Sequence, residues 1–227
     1  MLNERPDIYK DVFLISSGSA TQAAVGGIWT EPDLALSYLL SARYVIEASQ
    51  RDRCLSEVAL PAAYLQRHAM EVALKDILAT VYGIGRYRSW RELLERDPNA
   101  LAPVEKLVPF EHSLLLLRDA LQKELNEQGL EAGSEAVEGI CERLAVAENG
   151  APDRYRYNKV KQKGKPLEDA FPEQVLLPVV EMQRDLEEVF ERFLHFDPFL
   201  DHEQKTWRGR IGYLSYQTGK MFDQDFG

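Results

Sequence analysis

Apolar residues recur at intervals of three and four along much of this chain, the spacing that places side chains on one face of an α-helix. The clearest cases are a leucine series between His112 and Glu127 and an apolar series between about Pro172 and His195. The two series are Leu114, Leu117, Leu121 and Leu125, and Val175, Val179, Met182, Leu186, Val189 and Phe193. Such series predict helices that pack against other helices.

Two earlier segments, about 30–51 and about 61–82, are apolar on most sides, which is typical of largely buried helices. A further helix is predicted after Ser134, which can cap it, and ends at Asn149-Gly150. Five or so helices with short connections favour an all-α fold, specifically an antiparallel helical bundle.

Glycine and proline predict where several helices begin and end. Gly83 and Gly85 tolerate the left-handed conformation of a helix C-cap, so we expect the second helix to end near Tyr82. Residues 86–108, which contain two prolines, are expected to form short helical pieces. Pro178 removes a helix hydrogen bond, which predicts a kink or a later start of the last long helix.

The first helix has a predicted start at Thr30, a candidate N-cap, with Pro32 in the first turn. We therefore divide the chain into an N-terminal extension (1–29), a helical bundle (30–196) and a C-terminal tail (197–227). A short apolar run, Val12–Ile15, predicts an edge strand in the extension. The tail is expected to form a short strand or an arm.

The composition of the chain excludes more classes of function than classes of fold. The net charge of −10 argues against a protein that coats nucleic acid, so any phosphate site must be local. No apolar run is long enough to cross a membrane, and residues 1–10 lack the apolar stretch of a signal peptide. Cys54 and Cys141 are expected to be reduced core thiols, so we predict a cytoplasmic protein without membrane association, metal or cofactor.

The second helix carries an unusual polar stripe. Tyr64, Arg67, His68, Glu71 and Lys75 fall on one face of an otherwise apolar helix, because steps of three and four share a face. One interpretation is a structural network in which Arg67 and Lys75 pair with Glu71. The other is a functional polar seam in which His68 exchanges protons near neutral pH.

Two other segments carry candidate chemistry. His112 is either a hydrogen-bonded residue at a helix start or a partner of the His68 stripe. The loop 154–165 alternates basic residues and contains no acid, which suits phosphates and stacked bases, or else is a solvated loop anchored by two tyrosines. The candidate catalytic residues are Arg67, His68, Glu71 and His112. The candidate nucleic-acid or phosphate-binding residues are Lys75, Arg154, Tyr155, Arg156, Tyr157, Lys159 and Lys161.

Three sequence pieces in this order resemble the HEPN family over about residues 34–196. They are Leu60-Pro61 through Tyr64, Arg67-His68, Glu71 and Lys75; then His112-Ser113-Leu114; then Arg154-Tyr155-Arg156-Tyr157. The resemblance implies an α-helical bundle that often forms homodimers. It also implies either a metal-independent ribonuclease of bacterial toxin–antitoxin, antiviral defence or CRISPR systems, or a non-catalytic protein that binds nucleotides, RNA or a cognate partner protein.

The chain departs from the nuclease members of that family in one respect. Those members carry an arginine followed by a histidine four to six residues later, whereas Arg192 and His195 lie too close together here. We therefore expect a nucleic-acid or nucleotide-binding protein. A divergent metal-independent ribonuclease and a non-catalytic helical interaction protein are the alternatives.

Overall fold

The computed structural model describes residues 33–148, 155, 159–161, 167–169, 171, 173–195 and 206–227. Within these residues the chain forms six α-helices: α1 (Leu34–Asp52), α2 (Leu55–Arg96), α3 (Leu114–Glu127), α4 (Glu135–Glu148), α5 (Val179–Val189) and α6 (Trp207–Phe226). A π-helical turn, Phe190–Leu194, continues α5, and two antiparallel strands, β1 (Lys159–Lys161) and β2 (Leu167–Asp169), pair with each other. The predicted all-α class is confirmed, with six helices rather than about five. Residues 1–29, Thr30 and Pro32 lie outside the described residues.

Helix α2 is the centre of the fold, and it is longer than predicted. It has 42 residues and contacts α1, α3, α5 and α6. The prediction that it ends near Tyr82 was wrong, since Gly83 and Gly85 lie inside it. Gly85 instead permits close packing, because a Cβ atom there would lie 2.7 Å from Nε2 of Gln128.

The predicted short helical pieces of residues 86–108 are also absent from the structure. Residues up to Arg96 belong to α2, and residues 101–113 form an extended segment without regular structure. Four apolar side chains of this segment are exposed to solvent: Leu101, Val104, Leu107 and Phe110. This segment leads directly into α3. It therefore positions the residues that come immediately before that helix.

Several predicted helix boundaries are confirmed. The Ser134 hydroxyl accepts a hydrogen bond from the Val137 amide at the start of α4. Helix α5 begins at Val179, directly after Pro178, as the later-start prediction requires. The predicted start of the first helix at Thr30 was wrong, because α1 begins at Leu34 and its N-cap is Asp33, whose carboxylate accepts a hydrogen bond from the Leu36 amide.

The predicted C-terminal tail is part of the bundle. Instead of a strand or an arm, α6 is a 20-residue helix that contacts α2 and the π-helical turn. Trp207 and Ile211 lie in the main hydrophobic core, with side chains from α1 to α5 and the π-helical turn. Arg208 ties α6 to Asp33 and Asp76 through ion pairs of 3.4 and 3.3 Å. None of the helices in the described ranges is long and apolar enough to span a bilayer.

Candidate functional site: a buried carboxylate between two histidines

The polar stripe of α2 converges on one carboxylate. Glu71 is almost completely buried, with 3% of its side chain exposed. Arg67, one turn earlier, forms an ion pair with its Oε2, and Lys75, one turn later, places Nζ 2.7 Å from its Oε1. The structural interpretation of these three residues is therefore correct as far as their pairing goes.

Two histidines complete this arrangement from different parts of the chain. Nδ1 of His112, which precedes α3, lies 2.9 Å from Oε1 of Glu71. Nδ1 of His68 lies 3.5 Å from Oε2 of the same carboxylate. The structure thus brings together all four predicted catalytic residues and Lys75. We refer to Arg67, His68, Glu71, Lys75 and His112 as the Glu71 centre.

The charges around Glu71 fix its protonation. Burial acts to raise the pKa of its carboxyl group, but hydrogen bonds from His68, Lys75 and Arg67 outweigh that effect and hold the pKa well below its usual range. The carboxylate is therefore ionised at neutral pH. Arg67 and Lys75 together carry one more positive charge than Glu71 can neutralise, before either histidine is protonated.

His112 is held in place by its backbone and its ring together. Arg67 donates a hydrogen bond to the His112 carbonyl oxygen, and the Glu111 carboxylate accepts one from the His112 amide at 2.8 Å. The neighbouring Ser113 caps α3. Because the ionised Glu71 can only accept, Nδ1 of His112 carries the proton, which leaves Nε2 for a ligand. The His112 side chain is 45% exposed, so solvent reaches this ring.

His68 lies deeper and is held by aromatic rings. The Tyr38 ring meets it edge-on with 4.4 Å between centroids, and the Tyr64 ring stacks on it at 5.5 Å. These contacts fix the imidazole plane, while 23% of the side chain stays exposed. The part of the centre that solvent reaches is therefore its outer edge, formed by His68, Lys75 and His112.

The predicted basic loop is only partly described. Tyr155 is buried in a second apolar cluster with Ala62 and Ala63, about one turn of α2 before Arg67. Its ring lies 6.2 Å from that of Phe171. Because the ring is buried in the fold, this position supports the interpretation in which tyrosine anchors the loop rather than stacking on a base.

The other loop residues give less information. The backbones of Lys159 and Lys161 pair with those of Asp169 and Leu167 in the two-stranded sheet. Arg154, Arg156 and Tyr157 lie outside the described residues. The predicted meeting of the basic loop with the α2 stripe therefore stays a prediction.

Sequence reasoning missed a second polar network, on the neighbouring face of α2. Gln183 of α5 donates to the Leu39 carbonyl oxygen at 3.0 Å and to Glu187 at 2.8 Å. Gln66 donates to Gln183 at 3.1 Å, and Arg43 pairs with Glu187 at 3.1 Å. We refer to Arg43, Gln66, Gln183 and Glu187 as the Gln183 network. Its one sequence signal was the placement of Gln183 and Glu187 within the apolar series of α5.

Comparisons with known proteins do not assign this arrangement. The chain matches no family model, no curated protein and no solved structure. In the ranges that the structure covers, no group of three or more histidine, cysteine, aspartate or glutamate side chains is placed to hold a metal ion. Any function must therefore be argued from the Glu71 centre itself.

Proposed function

We propose that the chain is a HEPN-like module that binds RNA through phosphate groups at the Glu71 centre, in a bacterial defence or toxin–antitoxin setting. The observation that carries this proposal is the pairing of two partly exposed histidines and Lys75 with one buried, ionised carboxylate. The setting and the dimer expected with it come from the sequence resemblance alone.

The charge distribution explains why an anion would bind here in an acidic protein. The negative charge of Glu71 is compensated by its ion pairs with Arg67 and Lys75, and Lys75 and His112 are partly exposed. A phosphate at the outer edge would accept a hydrogen bond from Nζ of Lys75, and from Nε2 of His112 when that ring is protonated at both nitrogens. Arg67, which is 2% exposed, would act by orienting Glu71 and His112 rather than by contacting RNA.

RNA binding by matched lysine variants tests this proposal. Lys75→Ser should weaken binding of a single-stranded RNA about tenfold and reduce the salt dependence of the affinity. Lys123→Ser is the control, because Lys123 is a 76% exposed lysine of α3 that pairs with Glu127 within the same helix. Equal losses of RNA affinity in the two variants would show that only the overall charge of the protein matters. That result would refute a binding site at Glu71.

A second candidate function is metal-independent RNA cleavage, and the position of the His112 ring favours it. A carboxylate on Nδ1 with Nε2 free is the arrangement that orients a histidine for proton transfer. One imidazole would take the proton of the ribose 2′-hydroxyl while that oxygen attacks phosphorus. The bond from phosphorus to the 5′-oxygen would break, and the second imidazole would give that oxygen a proton. The products would be a 2′,3′-cyclic phosphate and a 5′-hydroxyl.

Cleavage assays in EDTA separate the two candidates. If the chain is a ribonuclease, it degrades RNA with EDTA present, and both His112→Ala and His68→Ala reduce the rate by at least about a hundredfold. RNA binding without turnover supports the binding function alone. Cleavage at equal rates by the wild type and both variants would remove the histidines from the mechanism.

A further inference from the structure

A cleft lies between the second half of α2 and residues 105–108 of the extended segment. Its volume is about 400 Å³, which falls within the usual range for small-molecule sites. At about 1.5 Å per residue, Arg86 in this cleft lies about 16 Å along α2 from Lys75. The cleft is therefore separate from the Glu71 centre.

The walls of the cleft combine aromatic rings with cations. Three aromatic residues, two basic residues and one acidic residue contribute: Tyr82, Tyr87, Trp90, Arg86, Lys106 and Glu105. Lys106 is already engaged, because its Nζ lies 4.5 Å from the Tyr82 ring centroid and forms an ion pair with Glu124. The hydrogen bond with Glu124 raises the pKa of Lys106, so this lysine stays charged.

Arg86 makes no hydrogen bond to a carboxylate in the described part of the chain. Its closest carboxylate is that of Glu105, where Nη1 and Oε2 are 4.0 Å apart, beyond hydrogen-bond distance. Arg88, two residues later, by contrast donates to the Gln128 carbonyl oxygen at 2.7 Å. Within the described ranges, the buried Nε of Arg86 and the buried Nε1 of Trp90 have no hydrogen-bond partner.

The Arg86 side chain is 38% exposed in this cleft, and its guanidinium group makes no hydrogen bond to the nearby Glu105 carboxylate. A guanidinium group binds carboxylate or phosphate oxygens in a two-pronged geometry. Flat aromatic walls suit a planar ligand. A ligand that combined a flat ring with one oxyanion would match both features.

We propose that this cleft binds a small planar ligand that carries one carboxylate or phosphate group. The oxyanion pairs with the guanidinium group of Arg86, and the ring of the ligand packs against Tyr87 and Trp90. This inference is independent of RNA binding at the Glu71 centre.

Isothermal titration of the full chain with matched probes tests this site. AMP is the phosphate probe and 4-hydroxybenzoate the carboxylate probe, with adenosine and phenol as their neutral counterparts. At least one anion should bind about tenfold or more tightly than its neutral counterpart, and the anion that binds identifies the oxyanion. Failure of both anions to bind, or equal affinity for the neutral counterparts, would overturn the proposal.

Variants then locate the binding. Arg86→Met should weaken the anion that binds about tenfold, whereas Arg91→Met removes the same charge from α2 at a residue that pairs with Asp225 and should change nothing. Arg86→Lys keeps the charge but loses the planar fork, so it should bind with intermediate affinity. If circular dichroism shows that Arg86→Met is unfolded, Arg86→Lys decides, and wild-type affinity in that variant would refute the site.

Discussion

The two polar networks of α2 begin at adjacent residues, Gln66 and Arg67, yet they are built in opposite ways. The Gln183 network is closed: its members are buried, and backbone oxygens of Leu39 and Val179 take up amide donors. The Glu71 centre has a buried carboxylate but an outer edge that solvent reaches. In both networks the buried polar groups have hydrogen-bond partners, as a folded core requires.

From this difference we infer a structural role for the Gln183 network, and we propose a functional role for the Glu71 centre. The Gln183 network joins α1, α2 and α5 with its donors directed at protein acceptors. The Glu71 centre directs more positive charge at one carboxylate than that carboxylate can neutralise, and it keeps imidazole groups at the surface. We therefore expect changes in the Gln183 network to affect stability alone, and changes in the Glu71 centre to affect RNA binding as well.

The largest effect on stability is expected for Glu187→Leu. Removing Glu187 takes the interhelical carboxylate away from the 2% exposed Arg43, which keeps its ion pair with Glu47, and also takes an acceptor from the buried Gln183. The free energy of unfolding should fall by about 3–5 kcal/mol, measured by urea denaturation. RNA affinity of the folded protein should not change.

The neighbouring residue supplies the control for that variant. Glu188 is 55% exposed and pairs with Arg192 on the surface of α5, so Glu188→Leu should change stability by less than about 0.5 kcal/mol. Similar losses in the two variants would mean that the Gln183 network contributes little.

Glu71→Gln should have the next largest effect on stability. The amide keeps a hydrogen-bond acceptor but leaves Arg67 and Lys75 without a counter-charge, which should cost about 2–4 kcal/mol. Unlike Glu187→Leu, this variant should also alter RNA affinity, because the orientation of His112 depends on Glu71. Unchanged RNA affinity in folded Glu71→Gln would erase the distinction between the two networks.

Lowering the pH should reduce the free energy of unfolding of the wild type more than that of the Glu71→Gln variant. The pKa of Glu71 is lower in the folded chain than the ordinary value of 4.5, so its stabilising contribution is present above that value. The contribution is lost progressively as the pH falls below 4.5 toward the lowered pKa of the folded state. Urea denaturation at pH 6, 4 and 3 should show a steeper loss for the wild type, and parallel curves would contradict the assigned ion pairs.

The smallest change in stability is expected for His112→Asn. The ring is partly exposed, and the backbone carbonyl that accepts from Arg67 is retained, so the loss should stay below about 1 kcal/mol. RNA affinity or cleavage should nevertheless fall. Thermal melts and RNA binding measured on the same sample check both expectations, and a large loss of stability would indicate that His112 is a structural residue.

Local signals predicted local structure well. The leucine series of α3, the Ser134 cap and the Pro178 boundary all depend on neighbours within one or two turns. The end of α2 was mispredicted because Gly85 serves a contact with Gln128 that is distant in sequence. Helix α6 was missed because its place depends on a core shared with six other elements.

The same distinction applies to the candidate site. Spacing alone placed Arg67, His68, Glu71 and Lys75 on one face. The contact between His112 and Glu71 spans 41 residues, so sequence reasoning could offer it only as one of two alternatives. The Gln183 network could not be predicted, because a glutamine within an apolar series does not indicate which residues of other helices it contacts.

The most direct test of a functional Glu71 centre is the RNA affinity of the double variant Lys75→Ser/His112→Asn, measured beside its free energy of unfolding. We predict that RNA affinity falls at least about tenfold while stability falls by less than about 1.5 kcal/mol. Wild-type RNA affinity in the folded double variant would contradict the account.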